Sequence, residues 1–158
     1  MKKILITIMT MISFFSFAKN EASDIKLVDY NTNKVKTVSE FKGKTYVKLW
    51  ASWCPTCLYT LKDVEELSKE KLDFNVITVI SPEKIGEQTK ADFKEWWNGL
   101  NDYKNVKIYF DEEGAFIKKA RVRGYPTNVF INSKGEIEKV LTGAMSNKRI
   151  KEVIKGLK

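Results

Sequence analysis

The only two cysteines of the chain follow directly after an apolar segment that is typical of a buried strand. Residues 45–51 are rich in aromatic and β-branched side chains, and Cys54 and Cys57 lie at the start of a helical pattern. Two sulfurs at positions i and i+3 of a first helical turn lie on one face and can close a small disulfide. The sequence therefore predicts a strand that ends at a redox-active pair of cysteines.

The start of the helix predicts different roles for the two sulfurs. Unpaired backbone N–H groups and the positive end of the helix dipole stabilise a thiolate best at the first position, so Cys54 is the expected nucleophile. Cys57 lies one turn deeper and would resolve a mixed disulfide by attacking Cys54. Pro55 suits the first helical position because that position needs no backbone donor.

Other uses of the two cysteines are weaker alternatives. A structural zinc site usually takes four cysteine or histidine ligands, and this chain has two cysteines and no histidine, so no metal site is expected. A purely structural disulfide remains an alternative, although closing so short a loop constrains the unfolded chain little. No cofactor is expected beyond the Cys54–Cys57 disulfide itself.

The beginning of the chain has the pattern of an export signal. Two lysines precede a short apolar run, and small residues lie at the third and first positions before a cleavage site after Ala18. The run is too short to span a bilayer comfortably, although an uncleaved anchor remains an alternative. We expect a signal peptide over residues 1–18 and one domain over residues 19–158. That domain would be exported to the periplasm or to the outer face of the cytoplasmic membrane, where stable disulfides are the default.

The basic charge of the chain does not indicate nucleic-acid binding. The net charge of +8 falls to +6 without residues 1–18, because two lysines and no acid are removed. The remaining lysines are mixed with acids, as in residues 62–71, whereas a nucleic-acid protein gathers them into a patch. The charge favours solubility or weak attraction to an anionic membrane surface, and a monomer is expected.

Apolar periodicity predicts an α/β fold for the mature chain. Residues 25–29 and 34–38 alternate around an Asn-rich turn and predict an N-terminal β-hairpin. After the cysteine helix, residues 74–80 form a nearly continuous apolar strand that is typical of a parallel sheet. Strand, helix and strand make a right-handed crossover, which places reactive groups beyond the carboxyl ends of the strands.

The second half of the chain predicts a helical insertion and a second hairpin. A loop at residues 81–86 is followed by a helical pattern at residues 87–100, after the second strand of the crossover. The remaining predicted elements are a strand at 106–110, a short helix at 115–120, a hairpin from 128–131 and 136–141, and a closing helix at 147–157.

Three motifs, in this order along the chain, resemble the thioredoxin superfamily. The run from Trp50 to Cys57 is similar to its active-site strand and helix start, residues 123–127 to its cis-proline loop, and residues 141–144 to its third substrate-contacting loop. The resemblance implies a thioredoxin fold, with a central mixed sheet flanked by helices. It also implies a shallow substrate groove bordered by Trp53, Pro55, Thr56, Tyr125, Pro126, Gly143 and Ala144.

The cis-proline loop has a physical role in this resemblance. A cis bond before Pro126 would leave the backbone of Tyr125 free to pair with an extended peptide beside the disulfide. A proline that merely ends a helix is the alternative.

The hairpin and the insertion resemble the exported TlpA-like branch of the superfamily. Residues 80–82, 86–87, 93–96 and 125–126 are most similar to the thioredoxin-like domain associated with bacterial methionine sulfoxide reductases. This implies an exported thiol-disulfide reductase with such an enzyme as its client. It also implies a membrane electron donor of the thiol-transfer type, which recharges the reductase.

Three other functions stay open at this stage. One is a TlpA-like reductase for cytochrome c maturation or for exported proteins in general. Another is a disulfide-forming oxidant, because the pair between the cysteines, Pro55 and Thr56, tunes the reduction potential. The third is a non-catalytic module that captures peptides, although such a module needs no nucleophile at a helix start.

One position departs from the pattern of cytosolic thioredoxins. They carry a buried acid on the strand before the active site, and the matching residue here is Lys48. Lys48 cannot act as a carboxylate relay, and its charge would lower the pKa of a nearby Cys57 thiol. The alternative is that its amine reaches solvent, because lysine is rarely buried. Glu83 or Glu87 could supply the missing carboxylate.

Overall fold

A computed structural model describes residues 21–158, so the expected signal peptide over residues 1–18 lies outside the described part. The elements are, in chain order, β1 (Lys26–Asp29), β2 (Val35–Thr37), β3 (Thr45–Leu49), α1 (Pro55–Lys69), β4 (Asn75–Ile80), α2 (Lys90–Asn98), β5 (Ile108–Phe110), α3 (Ala115–Lys119), β6 (Thr127–Ile131), β7 (Ile137–Thr142) and α4 (Asn147–Lys155).

The strands form one mixed sheet in the order β2-β1-β5-β4-β3-β6-β7. Strand β3 pairs in parallel with β4 and antiparallel with β6, and β4 pairs in parallel with β5. The predicted N-terminal hairpin, β1 and β2, extends the sheet beyond β5. The predicted thioredoxin fold is confirmed, including the helical insertion, which is α2 and follows β4.

The two faces of the sheet bury separate apolar clusters. Alternation along β3 and into the following turn sends Tyr46 and Trp50 to the cluster under α1, α2 and α4, whereas Val47 and Leu49 join the cluster under α3. By the same alternation Lys48 faces α1, between Tyr46 and Trp50. Within residues 21–158, no helix is both long enough and apolar enough to cross a membrane.

The helix predicted over residues 87–100 is shorter in the structure. Helix α2 begins at Lys90, where the hydroxyl of Thr89 accepts a hydrogen bond from the Asp92 amide. Residues 87–89 are not helical because Thr89 has an extended backbone with a ψ of 160°, which is the conformation of a residue that precedes a helix. The prediction was therefore wrong at the amino end of this helix, and the loop is longer than expected.

Candidate active site

Strand β3 and helix α1 position the two cysteines. The chain leaves β3 at Leu49, and Cys54 becomes the N-cap of α1 with Pro55 in the first turn. Cys54 and Cys57 form a disulfide with a Cα–Cα distance of 5.2 Å, and the Cys57 amide donates a hydrogen bond to Cys54 Sγ at 3.2 Å. The backbone donor at the helix start therefore points at the sulfur of Cys54.

The two sulfurs differ in their access to a partner. Cys54 is 4% exposed and Cys57 is fully buried. An incoming thiolate that approaches from solvent therefore meets Cys54 first, and attack there would release Cys57 as the leaving thiolate. In the reduced protein the same access allows the Cys54 thiolate to attack the disulfide of a partner.

An aromatic rim borders the disulfide. Trp53 is 51% exposed, and its ring centroid lies 6.1 Å from that of Tyr125. The peptide bond between Tyr125 and Pro126 is cis, and the Pro126 side chain is buried. Pro55 and Thr56 are exposed on the helix side. The structure thus gathers these five predicted groove residues around Cys54.

Gly143 joins the same group through a chain of hydrogen bonds. Its amide donates to the Pro126 carbonyl at 2.8 Å, and its own carbonyl accepts from Asn128 Nδ2 at 2.8 Å. The hydroxyl of Tyr46 donates to Asn128 Oδ1 at 2.7 Å, which fixes the orientation of that amide. Gly143 has a φ of 103°, a conformation that favours glycine. Ala144 follows it and is exposed.

Asn128 was not among the predicted site residues. An amide side chain directly before the apolar residues 129–131 of β6 was the available signal for its role. Its buried side chain donates to the carbonyls of Leu141 and Gly143, and the Gly143 amide in turn binds the Pro126 carbonyl of the cis-proline loop. Both loops therefore keep a fixed position relative to the disulfide.

Glu87 connects the insertion loop to the turn that precedes Cys54. Its buried carboxylate accepts hydrogen bonds from the Ser52 amide at 2.6 Å and from the Ser52 hydroxyl at 2.7 Å. Next to it, a Cβ on Gly86 would lie 3.3 Å from Trp53 Nε1, so the loop packs closely against the indole. Glu83 is exposed instead. Of the two candidate carboxylates, the structure brings Glu87 to the active-site turn.

Lys48 is buried, so the alternative in which its amine reaches solvent is wrong. It is 3% exposed, and Nζ donates a hydrogen bond to Thr60 Oγ1 in the second turn of α1. Thr60 Oγ1 in turn lies 2.9 Å from the Thr56 carbonyl oxygen and 3.1 Å from the Cys57 carbonyl oxygen, and its single proton is shared between these two acceptors. Burial lowers the pKa of Lys48 to about 8, and the Asp63 carboxylate partly offsets this effect. One hydroxyl group therefore separates the amine from the Cys57 backbone.

Thr60 was also missed from the sequence. It follows Cys57 by three residues, on the buried face of α1, and a hydroxyl at such a position needs a partner. This buried hydroxyl was the sequence signal for a polar contact between α1 and the sheet.

The rim residue Tyr125 stays uncharged at neutral pH. Burial raises the pKa of Tyr125 to about 12, and the carboxylates of Glu87 and Asp111 act in the same direction. The rim beside Cys54 is therefore aromatic and neutral.

Comparison with known proteins points to one family. The Redoxin family matches residues 17–154. An uncharacterized protein of Haemophilus influenzae is 45% identical over 153 residues, which cover 96% of this chain and 97% of that protein. The thiol-disulfide oxidoreductase ResA of Halalkalibacterium halodurans is 27% identical over 142 residues, covering 89% of this chain and 77% of ResA. The crystal structure of the pneumococcal exposed lipoprotein thioredoxin Etrx1 from Streptococcus pneumoniae has a TM-score of 0.79 and 41% identity, and the match covers 85% of this chain and 99% of Etrx1.

Proposed function

This chain belongs to the Redoxin family and is a thioredoxin-like thiol-disulfide oxidoreductase, and we propose that it is an exported reductase whose client is a methionine sulfoxide reductase. Cys54 is the nucleophile and Cys57 is the resolving thiol in this proposal. The contact between the insertion loop and the active-site turn is the observation that carries it.

The insertion loop supports the choice of client. Residues 80–82 and 86–87 carry part of the resemblance to the thioredoxin-like domain of methionine sulfoxide reductases. Gly86 packs against Trp53, and Glu87 binds Ser52, so these residues lie beside the reacting disulfide. A segment in that place contacts whatever protein approaches Cys54, and it can select among clients.

The catalytic cycle moves two electrons and two protons. The Cys54 thiolate attacks one sulfur of the client disulfide, and the other client sulfur leaves as a thiolate that takes up a proton. Cys57 then loses its proton and attacks Cys54, which releases the second client thiol and closes the Cys54–Cys57 disulfide. A membrane dithiol protein of the thiol-transfer type reduces that disulfide and restores the starting state.

The methionine sulfoxide reductase needs such a reductant. Reduction of methionine sulfoxide by a cysteine enzyme leaves that enzyme with a disulfide, and a further turnover requires its reduction. Outside the cytoplasm the default state of a cysteine pair is oxidised, so a dedicated electron carrier is required there.

Export to the periplasm or the outer face of the cytoplasmic membrane is part of the proposal. Residues 1–18 have the pattern of a signal peptide, and the structural neighbour Etrx1 is named an exposed lipoprotein. The redox group is the disulfide alone, with no bound cofactor or metal, and nucleic acid is not a partner.

Lys48 has a supporting role through its charge. In the reduced protein the buried ammonium favours the thiolate of Cys57, because an opposite charge nearby stabilises the ionised thiol. A pKa of about 8 means that this charge is lost at moderately alkaline pH. Glu87 is a buried carboxylate that binds the turn before Cys54, and we assign it the place of the carboxylate relay that Lys48 cannot fill.

The client can be identified by trapping. We expect Cys57→Ser, expressed in its own cell envelope, to stall as a mixed disulfide through Cys54, because the resolving attack is lost. Mass spectrometry of the captured proteins should recover a methionine sulfoxide reductase and a membrane thiol-transfer protein.

The double variant Cys54→Ser/Cys57→Ser is the matched control and should capture neither protein. Recovery of cytochrome-maturation proteins without any methionine sulfoxide reductase would contradict the proposed client. Rescue of the physiological phenotype by the double variant would instead favour the non-catalytic peptide-binding module.

A further inference from the structure

Two of the three arginines of the chain lie two residues apart, where the cis-proline loop begins. The sequence has 28 basic residues, and only Arg121, Arg123 and Arg149 are arginines. Arg149 already has a partner, because its guanidinium forms an ion pair with Glu152 at 3.2 Å. Arg121 and Arg123, which we call the arginine pair, therefore concentrate at one site a side chain that this sequence otherwise rarely uses.

Both side chains of the arginine pair are exposed. Val122, which lies between them, packs partly against the apolar cluster under α3, whereas Arg121 and Arg123 are open to solvent. Within residues 21–158, neither guanidinium forms a hydrogen bond or an ion pair with another residue. Two charged groups that can each make two parallel hydrogen bonds to a carboxylate are thus available at the surface.

The local charge around the arginine pair is positive. No acidic residue occurs in residues 114–135, and Lys118 and Lys119 precede the pair at the end of α3. These two lysines also complement the helix dipole, an effect that fades beyond the last turn and does not account for the arginine pair. The buried carboxylates of Glu87 and Asp111 accept hydrogen bonds from backbone amides and serine hydroxyls. In the part of the chain that the structure describes, no carboxylate therefore neutralises this patch through an ion pair.

The backbone at Arg121 also favours a binding role for the side chain. Arg121 has a φ of 53°, in the left-handed region, and follows Ala120, the C-cap of α3. Glycine is the usual residue at this position because it has no Cβ to crowd the backbone. The turn itself therefore gains nothing from an arginine, and the use of the side chain lies in what its guanidinium can bind.

The arginine pair lies beside the surface on which a client peptide is expected. Arg123 precedes Tyr125 by two residues, so their Cα atoms are at most about 7 Å apart. The Tyr125 ring lies next to Trp53, and the backbone of Tyr125 is the expected partner of an extended client segment. Residues next to the reacting cysteine of a client therefore come within reach of the guanidinium groups.

We propose that the arginine pair binds carboxylates of the client on a segment next to its disulfide, so that the preferred client surface is acidic. The planar guanidinium matches a carboxylate in geometry as well as in charge. An anionic membrane is a poorer occupant, because a client has to cover the rim of the groove during the exchange and leaves no room for a flat bilayer there. The inference deepens the proposed function, on which it rests only in that the client is a polypeptide.

Peptides that differ only in charge test this preference. Three synthetic peptides each carry one disulfide, flanked by two aspartates, two asparagines or two lysines, and the reduced protein is the reductant. At an ionic strength of about 10 mM, we expect the wild type to reduce the aspartate peptide about tenfold faster than the asparagine peptide. The preference should shrink at about 150 mM, because the Debye length falls to about 8 Å. Arg121→Gln/Arg123→Gln should reduce these two peptides at similar rates, and Arg121→Glu/Arg123→Glu should prefer the lysine peptide.

Lys104→Gln/Lys107→Gln is the matched control. It removes two exposed positive charges that precede β5, at the edge of the sheet opposite to the cysteines, and should leave the aspartate preference unchanged. Hydroxyethyl disulfide, which is small and uncharged, should react with every variant at the wild-type rate, which controls for loss of the fold.

Equal rates of the wild type with the three peptides would overturn the inference. The same loss of preference in Lys104→Gln/Lys107→Gln would assign the effect to overall charge and overturn it too. Arginine-dependent binding to phosphatidylglycerol vesicles without any peptide preference would assign the arginine pair to a membrane surface, with the same consequence. If the aspartate peptide is preferred but no methionine sulfoxide reductase is reduced, the proposed client fails and the arginine pair keeps its role.

Discussion

Serine in place of Cys54 should abolish disulfide exchange, whereas serine in place of Cys57 should leave a single round of attack. The reason is the geometry at the start of α1, where Cys54 caps the helix and is the more exposed sulfur. A serine hydroxyl at position 54 cannot form the mixed disulfide, so we expect the rate of insulin reduction to fall by more than about a thousandfold, as for the loss of other catalytic nucleophiles.

The Cys57→Ser protein should react with one equivalent of a protein disulfide and then stop. Non-reducing gels would show the mixed disulfide, and a turbidity assay would show no turnover. Thermal unfolding of both variants against the reduced wild-type protein controls for loss of the fold. A mixed disulfide that forms in Cys54→Ser and not in Cys57→Ser would reverse the assigned roles.

The buried amine of Lys48 should make stability depend on pH in a defined direction. Its pKa is about 8 in the folded protein and 10.5 in an exposed lysine, so the unfolded chain binds more protons between these values. Stability therefore rises with pH across this window, and the penalty for the buried charge is fully present below pH 8. The lowered pKa corresponds to about 3 kcal/mol.

Lys48→Met removes this dependence, because the side chain of methionine fills a similar volume and carries no charge. We expect the variant to be more stable than the wild type at pH 7, and the difference to shrink as the pH approaches 10.5. Urea unfolding of the oxidised proteins at several pH values measures this difference in the free energy of unfolding. Other groups titrate alike in both proteins, so their contributions cancel when the two values are subtracted. Lys62→Met, which removes an exposed charge from the outer face of α1, is the control and should show no such trend. If the free energy of unfolding changed with pH in the same way for the wild type and Lys48→Met, the lowered pKa of Lys48 would be contradicted.

The same variant tests the influence of Lys48 on the thiols. In the reduced protein, ultraviolet absorbance follows thiolate formation during a pH titration. We expect the titration of Lys48→Met to move to higher pH, because the positive charge that favours the thiolate is lost. An unchanged titration would remove Lys48 from the mechanism.

The parts of the fold that depend on short stretches of sequence were predictable. An apolar strand that leads into Cys54, a proline at the first helical position and an Asn-rich turn in the hairpin each follow from local preferences. The mixed sheet and the insertion after β4 followed from the crossover and from the resemblance to a known family, whereas the order of the strands was not predicted. These features can be predicted without knowing which side chains that are distant in the sequence contact each other.

The positions of the charged groups were not predictable in the same way. The depth of Lys48 depends on α1 covering β3 and on a hydroxyl from Thr60, which is a contact between elements. Glu83 and Glu87 lie in one irregular loop, and positive φ values at Glu83 and Ile85 turn the chain so that only Glu87 is buried. Periodicity carries no information about such a loop, because it has no regular repeat.

The reduction potential of the Cys54–Cys57 couple tests the reductase function most directly. Equilibration of the protein with glutathione or dithiothreitol at pH 7, followed by quantification of the two forms, gives this value. Thioredoxins lie at about −270 mV and strong disulfide-forming oxidants at about −120 mV. We predict a potential below about −200 mV for the wild-type protein, on the reducing side of this range. A value close to that of the strong oxidants would contradict the reductase function and would make this protein a donor of disulfides.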